Sequence, residues 1–130
     1  MYSLYYYVRE NGDCPCRDWR THQDGRIAPS IDARIEQLRL DGLKILNTEM
    51  MCRVKAKNDK ERVPGFYELR HEGKKWRIAV LYVARIQAFI LLCGWRKKQR
   101  VQPEDIAHAR ALAREYLDSG ETSEGRMQCL

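Results

Sequence analysis

"GFYELRHEGKKWRIAVLYVARIQAFILLCGWRKK", residues 65 to 98, contains three apolar stretches separated only by "EGK" and "ARIQ". Connections this short permit antiparallel hairpins and exclude crossover helices, so the stretch predicts a meander of three strands, "GFYELRH", "KWRIAVLYV" and "AFILLCGW". The middle strand is apolar on both faces from Ile78 onward, as expected of a central strand covered by helix on at least one side. The third runs straight into "RKKQR", residues 96 to 100, five long polar side chains of which four are cationic.

Downstream, Pro103 opens a helix with Glu104 and Asp105 in its first turn, where carboxylates meet the positive end of the helix dipole. Ile106, Ala109, Ala113, Tyr116 and Leu117 give that helix an inner face, Ser119 and Gly120 end it, and the tail from about residue 119 is expected to fray. Upstream, "CRVKAKNDKERVPG" reads as a long exposed connection. Before it, Ile31, Ile35, Leu38, Ile45 and Leu46 keep helical spacing, with Gly42 a weak point. The segment from Cys14 to Ser30 is polar and irregular, with a short helix expected around "CRDWRTHQ". The tyrosine-rich "YSLYYYV" suits a strand and stops at the turn signal "ENGD".

A chain of 130 residues supports one domain with a real core, taken here as 1–130. With 44% hydrophobic and 32% charged residues, it belongs with soluble globular proteins. The longest apolar run, Ile78 to Ala84, is far short of the roughly 20 residues of a membrane span. The N-terminus lacks the basic start, apolar middle and small-residue cleavage site of a secretory signal, so a cytoplasmic protein with no membrane partner is expected. Five cysteines at irregular spacing do not form a disulfide framework. The "CPC" at Cys14 and Cys16, followed only by His22, falls short of the ligand set of a zinc site. No metal or other cofactor is expected.

The formal charge of +6 suggests an anionic partner, and the excess is local. From Arg70 to Arg100 there are nine cationic residues, Arg70, Lys74, Lys75, Arg77, Arg85, Arg96, Lys97, Lys98 and Arg100, against one acid, Glu72. Strand geometry makes them converge. A two-residue loop at Gly73 and Lys74 sets Arg70 opposite Arg77; a loop at Glu72 and Gly73 sets Arg77 opposite Glu68, with Arg70 on the diagonal. The next hairpin returns Trp95, Arg96 and Lys97 beside Arg77, within the roughly 5 to 8 Å of cross-strand neighbours. Like charges so placed cost stability, and a function should offset that cost. Arginine clusters suit phosphate, which makes Arg70, Arg77 and Lys97 candidate phosphate ligands. Glu68 is expected to orient an arginine. His71, on the opposite strand face, and His22 and His108, in surface contexts, are expected to be structural or exposed.

These residues also resemble a family. "FYELR", "KKWRIAVLYV" and "FILLCGWRKKQRVQPEDIAHARALAREYL" are similar, over about residues 64 to 118, to the RelE/HigB superfamily of toxins from type II toxin-antitoxin systems, in particular its phage-derived Gp49-like (HigB-like) branch. The resemblance rests on a Glu-Leu-Arg strand, an aromatic-Arg-Ile strand, a Leu-Leu strand ending in Gly-aromatic, a Lys-Lys pair and a helix after a proline. It implies an α+β, RelE-like fold in which two N-terminal helices and a C-terminal helix pack on one face of a small antiparallel sheet of about four strands. It implies an endoribonuclease acting on mRNA at the translating ribosome, and an antitoxin from the same operon, helix-turn-helix and HigA-like.

Carried across, Arg70 falls on the arginine of the first motif, Arg77 on that of the second, and Lys97 and Lys98 on the Lys-Lys pair. Cys93 stands where many members have histidine, and Trp95 where phenylalanine is commoner. Cleavage by the RNA's own 2′-hydroxyl needs charge stabilisation and proton transfer rather than a metal. Arg70 and Arg77 are then expected to clamp phosphate, Lys97 to transfer a proton, and Lys98 to assist or bind the backbone. Lys74, Lys75, Arg96 and Arg100 are expected to bind RNA, and Trp95 either to stack on a base or to serve as a core aromatic. A basic RNA- or DNA-binding module of phage origin, without catalysis, is the alternative.

Overall fold

A computed structural model describes residues 1–98, 102–119 and 127–130. The strands are β1 (Ser3–Tyr7), β2 (Met51–Arg53), β3 (Phe66–His71), β4 (Trp76–Val83), β5 (Ala88–Arg96) and β6 (Met127–Cys129), and the helices are α1 (Pro15–Thr21), α2 (Ala28–Asp41) and α3 (Pro103–Asp118). All six strands form one sheet in the order β2-β3-β4-β5-β1-β6. The meander predicted for residues 65–95 is its centre. Among the described residues no helix is long and apolar enough to cross a membrane.

The α+β class and the three helices are as expected, and the sheet is larger than expected and mixed. β1 runs parallel to β5, with Ser3 opposite Ala88 and Tyr6 opposite Leu91. β6, within the tail expected to fray, pairs antiparallel with β1 from Tyr5 to Tyr7. β2 pairs with β3, bringing Cys52 opposite Glu68. Strands of three residues carry no readable alternation, so β2 and β6 leave no trace in the sequence pattern.

The helices lie on both faces, not one. Trp76, Ile78 and Val80 of β4 join Ile31, Ile35 and Leu38 of α2 in one core cluster. Ala79 and Leu81, from the alternate positions, join Ala109, Leu112, Ala113 and Tyr116 of α3 in the other. A strand sandwiched in this way must be apolar at every position, which is why β4 shows no polar face from Ile78 to Leu81. β5 is covered likewise, with a bulge. Ala79 pairs with Cys93 and Val80 with Leu91, so Leu92 is the extra residue, and Leu92 and Cys93 both face α3.

Each helix opens on a proline in its first turn, where the missing N–H costs nothing. The apolar spacing that suggests a helix continuing to Leu46 is broken at Gly42, which closes α2 at φ 52° and starts a single 3-10 turn over Gly42–Ile45. The ring of Tyr2 occupies the space a side chain at residue 42 would need. Glycine is therefore required there for conformation and for space.

Candidate functional site

Of the two registers open to the first hairpin, the chain adopts the one with Arg70 opposite Arg77, and Arg77 lies in turn opposite Trp95. The ladder continues one residue past β5, because the Lys97 N–H donates to the Lys75 carbonyl at 2.7 Å. Arg70, Arg77 and Lys97 thus meet at one end of the sheet, as strand geometry requires. The clustered arginines sit on the α3 face, where Ala79, Cys93 and Trp95 are their neighbours in alternation.

Two carboxylates offset the opposed positive charges. Glu68 Oε1 lies 2.7 Å from Arg77 Nε and 3.8 Å from Arg70 Nη2. Glu72 Oε1 lies 3.0 Å from Arg77 Nη2 and 3.5 Å from Arg70 Nη1. Arg77 Nη1 also donates to the Trp76 carbonyl at 2.9 Å, and Arg70 Nη2 donates to Cys52 Sγ at 2.8 Å. The Nε atoms of both arginines are buried without an aligned hydrogen bond, so the Arg77–Glu68 contact acts as a close ion pair with poor directionality. Two guanidinium groups and two carboxylates form a quartet of zero formal charge.

Exposure divides the expected site residues. Arg77 is buried, with 1% of its side chain exposed, whereas Arg70 is 28% exposed. Of the two arginines expected to clamp phosphate, Arg70 therefore presents its guanidinium to solvent, while that of Arg77 lies covered in this conformation. Lys97 is half-buried, and Lys98, Lys74 and Lys75 are exposed. Arg96, opposite Trp76, leaves on the α1 and α2 face. There its charge helps to hold the Asp24 carboxyl below its usual range, an effect led by the Arg26 N–H. Arg100 lies outside the described residues.

Trp95 is buried and packs in the α3 cluster, its Nε1–H donating to Gln102 Oε1. That burial suits the core-aromatic reading, and the residue also lines a cleft beside the site. Cys93 is buried in the same cluster, and burial pushes its thiol up to about 12. His71 lies on the other face, stacked on Trp76 at 5.9 Å, with its Nδ1 accepting the Lys74 N–H at 3.0 Å. His108 is exposed on α3, and His22 caps α1. No histidine among the described residues faces the arginine quartet.

Glu72 and Cys52 were missing from the site read in the sequence. Glu72 had a signal, as the single acid among nine cations from Arg70 to Arg100. Cys52 had none, because β2 is too short to read. Beside the site a cleft of about 550 Å³ runs between Trp19, the end of β5 at Gly94 and Arg96, Lys98, and the first turn of α3. Among the described residues no three histidine, cysteine, aspartate or glutamate side chains gather to hold a metal ion.

No family model and no curated protein matches the sequence. Among solved structures, the isolated E. coli RelE toxin superposes with a TM-score of 0.53 at 10% identity, covering 85% of this chain and 99% of that one. At that identity the likeness speaks for architecture, and this chain has a RelE-like α+β fold.

Proposed function

We propose that the chain is a single-domain cytoplasmic toxin of a type II toxin-antitoxin system, of the HigB-like branch. In this reading it is a metal-independent endoribonuclease that cleaves mRNA on the translating ribosome. The observation that carries this reading is the opposed Arg70–Arg77 pair beside Lys97 at one sheet end, within a fold shared with a protein named as a toxin.

In the reaction the RNA 2′-oxygen attacks the adjacent phosphorus as its proton passes to solvent water. The bond from phosphorus to the 5′-oxygen breaks, and that oxygen takes up a proton. Arg70 binds a non-bridging oxygen as its charge grows, and Lys97 serves the proton on the departing 5′-oxygen. Arg77 adds its charge beside Arg70. Lys98, Lys74 and Lys75 hold flanking phosphates, and each such contact makes binding weaker as salt rises. A helix-turn-helix antitoxin from the same operon covers the cationic end.

Inducing the gene in bacteria and mapping transcript 5′ ends by primer extension tests this. New ends inside translated regions are expected, lost in Arg70→Ala and Lys97→Ala with the fold retained, and their absence in the wild type refutes the activity. The mutual neutralisation of the arginines by Glu68 and Glu72 favours one rival, a non-catalytic RNA- or DNA-binding module, for which the wild type would bind nucleic acid and leave transcripts whole. Growth arrest unrelieved by the neighbouring gene would count against the antitoxin.

A further inference from the structure

The two carboxylates of the arginine quartet differ in kind. Glu68 sits on β3 with its side chain 10% exposed, fixed between strands. Glu72 sits in the turn joining β3 to β4, with its side chain 55% exposed. A single oxygen, Glu72 Oε1, approaches both guanidinium groups, at 3.0 Å from Arg77 and 3.5 Å from Arg70. That is the position a non-bridging phosphate oxygen would take between two arginines.

We propose that Glu72 is a specificity-determining residue: its carboxylate occupies the two-arginine anion site in the free protein and admits a polyanionic RNA strand while excluding small phosphates. The inference rests on the ribonuclease reading for the identity of the natural ligand. A carboxylate tethered in the adjoining turn competes as an intramolecular ligand, with an effective concentration on the order of millimolar or more. Inorganic phosphate or a mononucleotide meets that competitor with one charged group and nothing else. An RNA strand also brings neighbouring phosphates to Lys74 and Lys75, which share the turn with Glu72, and to Lys97 and Lys98. Those added contacts let the strand displace Glu72. Once Glu72 swings out, Arg77 loses the carboxylate at its Nη2, and the two arginines balanced by Glu68 alone carry one net positive charge.

The test uses the full chain, with inorganic phosphate and a short single-stranded RNA, fully 2′-O-methylated so that it cannot be cleaved, as probes. Titrations are made on the wild type, Glu72→Gln, Glu72→Ala and the double variant Glu72→Gln, Arg70→Ala, each checked by circular dichroism. Phosphate should bind both single variants about tenfold or more tighter than the wild type, whereas the RNA should gain less. The phosphate gain should vanish in the double variant. Equal phosphate affinity in the wild type and the Glu72 variants would overturn the proposal, and so would a gain that survives loss of Arg70. Should the variants gain phosphate binding while no transcript is cut, the ribonuclease reading fails and the gate at Glu72 stands; cut transcripts with unchanged phosphate binding give the reverse.

Discussion

Arg77 stands directly across the ladder from Arg70, yet 1% of its side chain is exposed against 28% for Arg70, so two arginines of one cluster have different work. Among the described residues, Arg77 is the only cation within 3 Å of the buried Glu68 carboxylate. Removing it as Arg77→Ala strands that carboxylate in the sheet and is expected to cost about 3–5 kcal/mol. Arg70→Ala, at a partly solvated edge, should cost about 1 kcal/mol or less. Pairing Arg77→Met with Glu68→Met should regain most of the loss, because an apolar pair needs no charge compensation. Urea denaturation of the four proteins checks this; equal losses for the two single alanine variants would mean that the pair is not the structural one.

That the arginines share one end of the sheet was legible in the sequence, because two short connectors constrain three strands; which of two registers pairs them was left open until the fold chose Arg70 opposite Arg77. The same logic stops at Glu72. A turn residue has no period, and whether its carboxylate points to solvent or into the arginine pair depends on backbone geometry that the hairpin sets only when folded. Helix placement was illegible for another reason. Apolarity at every position from Ile78 to Leu81 calls for cover on both faces, but nothing in the spacing of α2 or α3 says which face each takes. Tyr-rich β1 read as a strand, while its parallel place beside β5 is a long-range choice made by tertiary packing.

His71 supplies a pH-dependent term. Burial, then the charges of Arg34 on α2 and Lys74, hold its imidazole below the ordinary 6.5, with Glu72 opposing. The unfolded chain therefore takes up the proton at a higher pH than the folded one. The stability contributed by neutral His71 is complete above about 6.5 and drains away as pH falls through the lower, folded value. Between about pH 7 and pH 5 the wild type should lose stability more steeply than His71→Gln. Parallel pH profiles for the two proteins would show that His71 does not carry this term.

Gly94, at the end of β5, has the indole of Trp19 where a side chain would begin. Even one methyl group there must displace the Trp19 indole, or α1 with it. Gly94→Ala is expected to destabilise the protein by about 1–3 kcal/mol through overpacking. Trimming the indole should relieve the conflict, so Gly94→Ala with Trp19→Leu should lose less than the sum of the single losses. Thermal denaturation of the set tests this, and strict additivity would place the cost of the methyl group elsewhere.

The free thiols should separate by reactivity, because only the thiolate is alkylated. Burial raises Cys16 well above its ordinary value, takes Cys93 up to about 12, and raises Cys14. Cys52 is also raised, by burial first and then by Glu68, with the charge of Arg70 acting in the opposite sense. Cys129 is exposed at the sheet edge. Iodoacetamide at neutral pH should therefore label Cys129 first and Cys52 slowly, leaving Cys14, Cys16 and Cys93 intact until denaturant is added. Peptide mapping by mass spectrometry gives the order directly. Labelling of Cys16 at the rate of Cys129 would mean that α1 opens from β5 far more readily than its packing against Gly94 allows.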